Sequence, residues 1–146
     1  MIEEGYVPEE IQLRIRKFTV KYFLPALLKY LAEKNPVFEG INLKFTSLWE
    51  IATWTYDLDL VFQREQHYDI MKIESILSMP MSSCLIEKAT ELVGAAVRIC
   101  KAMKNQEYAD GFSEIVKGYF TPAEKPNPNE YWLRTKNLLH RNMSVR

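Results

Sequence analysis

Between Leu85 and Met103 the apolar side chains Leu85, Ala89, Leu92, Ala96, Ile99, Cys100 and Met103 recur every one to four positions along one helical stripe. That spacing marks one face of an α-helix, and with Ser82 or Ser83 as its cap it predicts a helix with a buried stripe. Gly94, Ala95 and Ala96 lie within this segment and are small enough to let another backbone come close. The same periodicity recurs in Ile11, Ile15, Phe18 and Tyr22, then with an offset in Val20, Leu24, Leu27 and Leu31. It returns in Ile70, Ile73, Ile76 and Leu77, and again in Tyr108, Phe112, Ile115 and Tyr119. Such repetition predicts a mainly α fold, a compact bundle of about five or six helices.

Prolines and polar runs punctuate the pattern. Pro8 suits the first position of a helix, with Glu9 and Glu10 at the positive end of its dipole. Pro25 falls where the two offset stripes change over, so a kink or break is expected near residues 21–25. Asn35-Pro36 and Pro80 are stop signals, Asp110-Gly111 reads as a turn and restart, and the polar run Gln63 to His67 as a fully exposed turn or break. Ser47-Leu48-Trp49-Glu50 is a capping box, whereas residues 53–60 alternate polar and apolar like a strand. Helix is the preferred reading there, because a small β-hairpin of residues 41–46 with 53–60 would be marginal by itself. The domain organisation is then a single helical core over 1–121, a proline-broken connector over 122–129, and a basic C-terminal segment over 130–146 docked on or trailing from it.

A chain of 146 residues with 47% hydrophobic content buries roughly 70% of its unfolded surface and needs no staple. Cys84 and Cys100, read as lying on one helix, would be about 24 Å apart and unable to bond to each other, so both read as buried free thiols. The N-terminus lacks the charge and apolar pattern of a secretion signal, and the uncharged run Ser75 to Ile86 falls short of the about twenty residues of a membrane span. A soluble, intracellular protein with no membrane partner is expected.

Catalytic and ligand chemistry finds no foothold. His67 and His140 are distant from each other and from the cysteines, and no Cys-x-x-Cys, His-Glu-x-x-His or Glu-x-x-His occurs, so both histidines read as surface residues and no metal is expected. No Gly-x-Ser-x-Gly marks a nucleophile, and five glycines supply no phosphate-binding loop. Asp57 and Asp59 read as solvated acids. The expectation is a protein that is not an enzyme, with no catalytic residue and no cofactor.

Charge is the feature that points outward. The net charge is zero, yet residues 1–10 carry four acids and no base, residues 11–34 six bases against Glu33, residues 35–95 nine acids against four bases, and residues 96–146 nine bases against five acids. Segregation of this kind steers a charged partner or a second copy of the chain. On a helix Arg14, Lys17 and Lys21 share one face at i, i+3 and i+7, with Arg16 beside them. The tail adds Tyr131, Trp132, Arg134, Lys136 and Arg141, bases mixed with aromatics as in single-strand binders. These nine residues are the candidate partner-binding set.

No family motif can be quoted, but the texture of the chain is similar to small virus-encoded helical proteins, including archaeal virus proteins that serve as virion components or bind the host transcription machinery. That resemblance implies a host-cytoplasmic or virion location. The first expectation is a non-enzymatic helical protein acting by protein-protein interaction, as a structural or assembly component or an inhibitor, with a protein partner or a homo-oligomer. The alternative is a nucleic-acid binder that uses helix 11–31 and the tail, disfavoured by an isoelectric point of 6.7.

Overall fold

A computed structural model describes residues 7–42, 48, 50–53, 64–80 and 86–124, and among them every regular element is helical. Five α-helices follow in order: α1 (Glu9–Phe18), α2 (Leu24–Lys34), α3 (Arg64–Leu77), α4 (Ile86–Ala102) and α5 (Gln106–Val116). The fold is the expected helical bundle. Residues 48 and 50–53 are also helical, with Ile51 and Ala52 fully buried. Thr53 is therefore not in a strand; most of the hairpin, residues 43–46 and 54–60, lies outside the described residues.

The first two helices form one rod. Pro8 stands just before α1 rather than inside it, and its carbonyl accepts the first bonds, from Ile11 and Gln12 N–H. Between α1 and α2 the chain passes through a π turn, Thr19–Phe23, instead of breaking. The Leu24 N–H reaches back to the Thr19 carbonyl, five residues away, and Pro25 follows in the first turn of α2. A proline lacking its N–H is tolerated where the hydrogen-bond register changes. The extra residue also re-aims the downstream face by about 100°. As a result Ile11, Ile15, Thr19, Phe23, Leu27 and Leu31, every fourth residue, are all at most 2% exposed. Val20, expected in the buried stripe, is turned out to solvent in their place. Tyr22, expected in the first stripe, is exposed as well, so Thr19 and Phe23 take the buried places at the changeover and the inserted residue brings Leu24, Leu27 and Leu31 into line with Ile11 and Ile15.

Helix α3 packs on α4, α4 on α5, and α5 on α1. The face of α4 buries Ala89, Leu92, Ala96, Ile99 and Cys100 as its periodicity requires. At its end the Asn105 N–H bonds the Cys100 carbonyl and the Lys104 N–H the Lys101 carbonyl, with Lys104 in the left-handed region at φ 60°. This is a Schellman cap, which turns the chain sharply into α5. Asn105 then accepts from the Tyr108 N–H and caps α5.

Two expectations are corrected. Helix α5 runs unbroken through Asp110-Gly111, because Gly111 faces the Phe18 ring: a Cβ there would lie 2.6 Å from Phe18 Cζ. The polar run ending at His67 is no exposed turn either. Its residues 64–67 open α3, and His67 is 3% exposed. Every residue from His67 to Ile73 is buried, and the two charged ones, Asp69 and Lys72, are matched across the α3–α4 contact.

Candidate docking surface

The outer face of the rod carries Arg14, Lys17 and Lys21, all exposed, interspersed with exposed Leu13 and Val20. Arg14 and Lys21 are about 10 Å apart along the axis. Lys29 and Lys34 continue the basic surface along α2. None of these five cations forms an ion pair with a carboxylate among the described residues. Two of them rest on aromatic faces instead, Lys21 Nζ 5.4 Å from the Tyr22 ring centroid and Lys34 Nζ 5.3 Å from that of Tyr30.

Arg16 behaves differently. Its guanidinium turns inward and donates to the carbonyls of Leu77 at 2.9 Å, Met79 at 2.8 Å and Ile76 at 3.3 Å. These carbonyls lie at or just past the C-terminus of α3, where the helix dipole favours a cation; that of Ile76 also accepts from the Met79 N–H. Arg16 thus ties α1 to α3, and that fork is already occupied within the fold.

Beside the basic face an open cleft of about 460 Å³ lies between the π turn and α2 on one side and the α4–α5 turn on the other. Tyr22, Pro25, Ala26 and Tyr30 form the first wall, Met103, Asn105 and Tyr108 the second, with Lys21, Lys29 and Glu33 completing the lining. Its inner end is backed by tilted and edge-on rings. Tyr22 and Tyr108 both pack on Phe18, at 5.4 and 5.8 Å between centroids. Phe18 in turn meets Phe112 edge-on at 4.8 Å, and Phe112 meets Phe23 at 5.7 Å. Tyr22 and Tyr108 are thus held by a ring cluster that reaches into the core.

No family model, curated protein or solved structure matches this chain. Its chemistry is read from its own residues.

The most concentrated ionisable groups lie inside, between α3 and α4. Arg98 pairs with Asp69, which is 0% exposed, and Lys72 Nζ lies 3.2 Å from Glu91 Oε2. That second contact is Coulombic rather than a hydrogen bond, since Glu91 Oε2 has no partner of suitable geometry. Lys88 approaches the same oxygen at 3.6 Å. Each carboxylate of this layer has a cation across the α3–α4 contact, which fixes α3 against α4 and does not line the cleft.

Cys100 is a buried free thiol, as its place in the stripe implied, and burial raises it to about 12. Among the described residues no group of three His, Cys, Asp or Glu side chains is placed to hold a metal ion. Cys84, His140 and the tail residues Tyr131, Trp132, Arg134, Lys136 and Arg141 lie outside the described residues.

Of the nine expected partner-binding residues, the structure brings Arg14, Lys17 and Lys21 to one surface and diverts Arg16. Sequence reasoning missed Lys29, Tyr30 and Tyr108. Lys21, Pro25 and Lys29 recur every four residues on the exposed side of the rod, a signal that was present but overshadowed by the apolar stripes.

Proposed function

We propose that the protein is a non-enzymatic docking module that engages a protein partner through the basic, apolar-flecked outer face of α1, the π turn and α2. The observation that carries this reading is the exposure of Arg14, Lys17 and Lys21 with no carboxylate partner among the described residues, beside Leu13 and Val20, each more than half exposed. Carboxylates of the described acidic residues do not pair with these cations, and a face of exposed bases suits an external partner of opposite charge. Exposed leucine and valine among the bases favour a protein surface over a phosphate backbone, which offers apolar groups nothing to bury against. Such a module acts as an assembly component or as an inhibitor of a larger machine, such as a transcription apparatus. In the viral setting that its texture resembles, it would work in the host cytoplasm or in the virion. No helix among the described residues is long and apolar enough to cross a membrane.

Photo-crosslinking residues placed at Leu13 and at Val20 test the face directly in cells. The expected result is the same cross-linked polypeptide from both positions, lost when Arg14→Glu, Lys17→Glu and Lys21→Glu are combined without loss of helicity. Tight duplex-DNA binding whose salt dependence flattens by about 0.9 log units per removed cation would instead establish the nucleic-acid alternative.

A further inference from the structure

We propose that the cleft between α2 and the α4–α5 turn is an anchor pocket for an aromatic side chain carried on an acidic segment of the protein partner, an inference that rests on the docking reading of the adjoining face.

The walls select the anchor. Three tyrosines, Tyr22, Tyr30 and Tyr108, converge with Met103 on one cleft. Rings offer edge and face contacts to another ring, and thioethers favour aromatic neighbours. The volume of about 460 Å³ is in the range of clefts that enclose small organic groups. It is also held open before anything binds. The π turn and Pro25 set one wall, while the Schellman turn and the Asn105 cap set the other. The Phe18–Phe112 contact fixes the two tyrosines at the back. Preorganisation of this kind lowers the ordering cost of binding.

The rim selects the flanks. Lys21 and Lys29 border the cleft, and Arg14 and Lys17 extend the basic surface from it along α1. Lys21 leans on the Tyr22 face, which presents the negative side of the ring quadrupole in place of a carboxylate. A carboxylate beside the anchor would take over that ammonium. Glu33 is the one acid in the lining and stands one turn beyond Lys29 on α2, so the acids of the partner belong towards the Lys21 end, where repulsion from Glu33 is least.

The experiment uses a fluorescein-labelled peptide with a central Trp flanked on each side by three Asp or Glu residues, read by anisotropy against the intact protein. Its controls are the same peptide with Ser in place of Trp, and a Trp peptide flanked by Lys. Saturable binding is expected for the acidic Trp peptide, with both controls weaker by about tenfold or more. Ala26→Trp, which fills the cleft, and the exposed charge reversal Lys29→Glu are each expected to weaken binding about tenfold at unchanged helicity and melting temperature. If Ala26→Trp fails to fold, Lys29→Glu and the Ser peptide carry the decision. Equal binding of the Trp and Ser peptides overturns the pocket while leaving the basic face standing. Absence of any peptide binding overturns it too, and the docking reading is then judged separately by the cross-links from Leu13 and Val20. A labelled oligonucleotide that outcompetes the acidic peptide in a Lys29-dependent manner would overturn both.

Discussion

Arg98 grips both oxygens of Asp69: its Nε donates to Oδ2 at 2.9 Å and its Nη2 to Oδ1 at 2.8 Å, across the contact between α3 and α4. The third nitrogen, Nη1, donates to the Ala123 carbonyl at 2.6 Å. One guanidinium therefore joins two helices and the segment that follows α5, in the bidentate geometry that only arginine supplies. Arg98→Met removes the cation that balances the wholly buried Asp69 carboxylate and should cost about 3 to 5 kcal/mol in urea unfolding. Asp69→Leu combined with Arg98→Met should be less destabilised than the sum of the single changes. Strict additivity would mean that the pair is not coupled.

Gly94 makes room for that same segment. The Ala123 N–H donates to the Thr90 carbonyl at 3.1 Å, and a Cβ on Gly94 would overlap the Ala123 carbonyl oxygen. In an ordinary helix interior Gly→Ala gains up to about 1 kcal/mol. Here the clash should reverse the sign, and Gly94→Ala should destabilise by about 1 to 3 kcal/mol as the segment is pushed off α4. A rise in melting temperature would show that the close approach is not maintained in solution.

Lys104 holds a left-handed conformation at φ 60°, where a side chain is disfavoured. Lys104→Gly should stabilise the protein by up to about 1 kcal/mol, because glycine removes the Cβ strain at the C′ position of the Schellman cap. Thermal denaturation of this variant reading below the parent would contradict the cap geometry.

Cys100 gives a pH-dependent readout. Burial lifts its thiol from an ordinary 9.0 to about 12, so the fold holds the neutral form. The stability this contributes is complete below about pH 9, where the unfolded thiol is also neutral, and is lost as pH rises towards 12. In a Cys84→Ala background, iodoacetamide at pH 8 should leave native Cys100 unmodified and label it on unfolding. Between pH 9 and 12 the further change Cys100→Val should shallow the alkaline loss of stability; identical slopes would refute a buried thiol.

The helical class, the buried stripe of α4 and the offset of the two N-terminal stripes were legible in the sequence, because each is encoded by residues within a few turns of one another. Gly94 was legible too, as a place for close backbone approach, though not which backbone would arrive. The tertiary structure alone decided the fate of the polar residues. Arg16 and the Leu77 carbonyl it binds are 61 positions apart, and Arg98 and Asp69 are 29 apart, so neither pairing leaves a local pattern. Asp69 and Lys72 look like surface residues because burying a charge is costly, and partners brought in by another helix, Arg98 and Glu91, offset that cost. The candidate site divides the same way. Arg14, Lys17 and Lys21 share a face by helical spacing alone, whereas Tyr22 and Tyr108 meet because Gly111 admits Phe18 between α1 and α5. Periodicity determines which side of a helix turns inward; the chemistry that awaits it there is set by whichever helix packs against it.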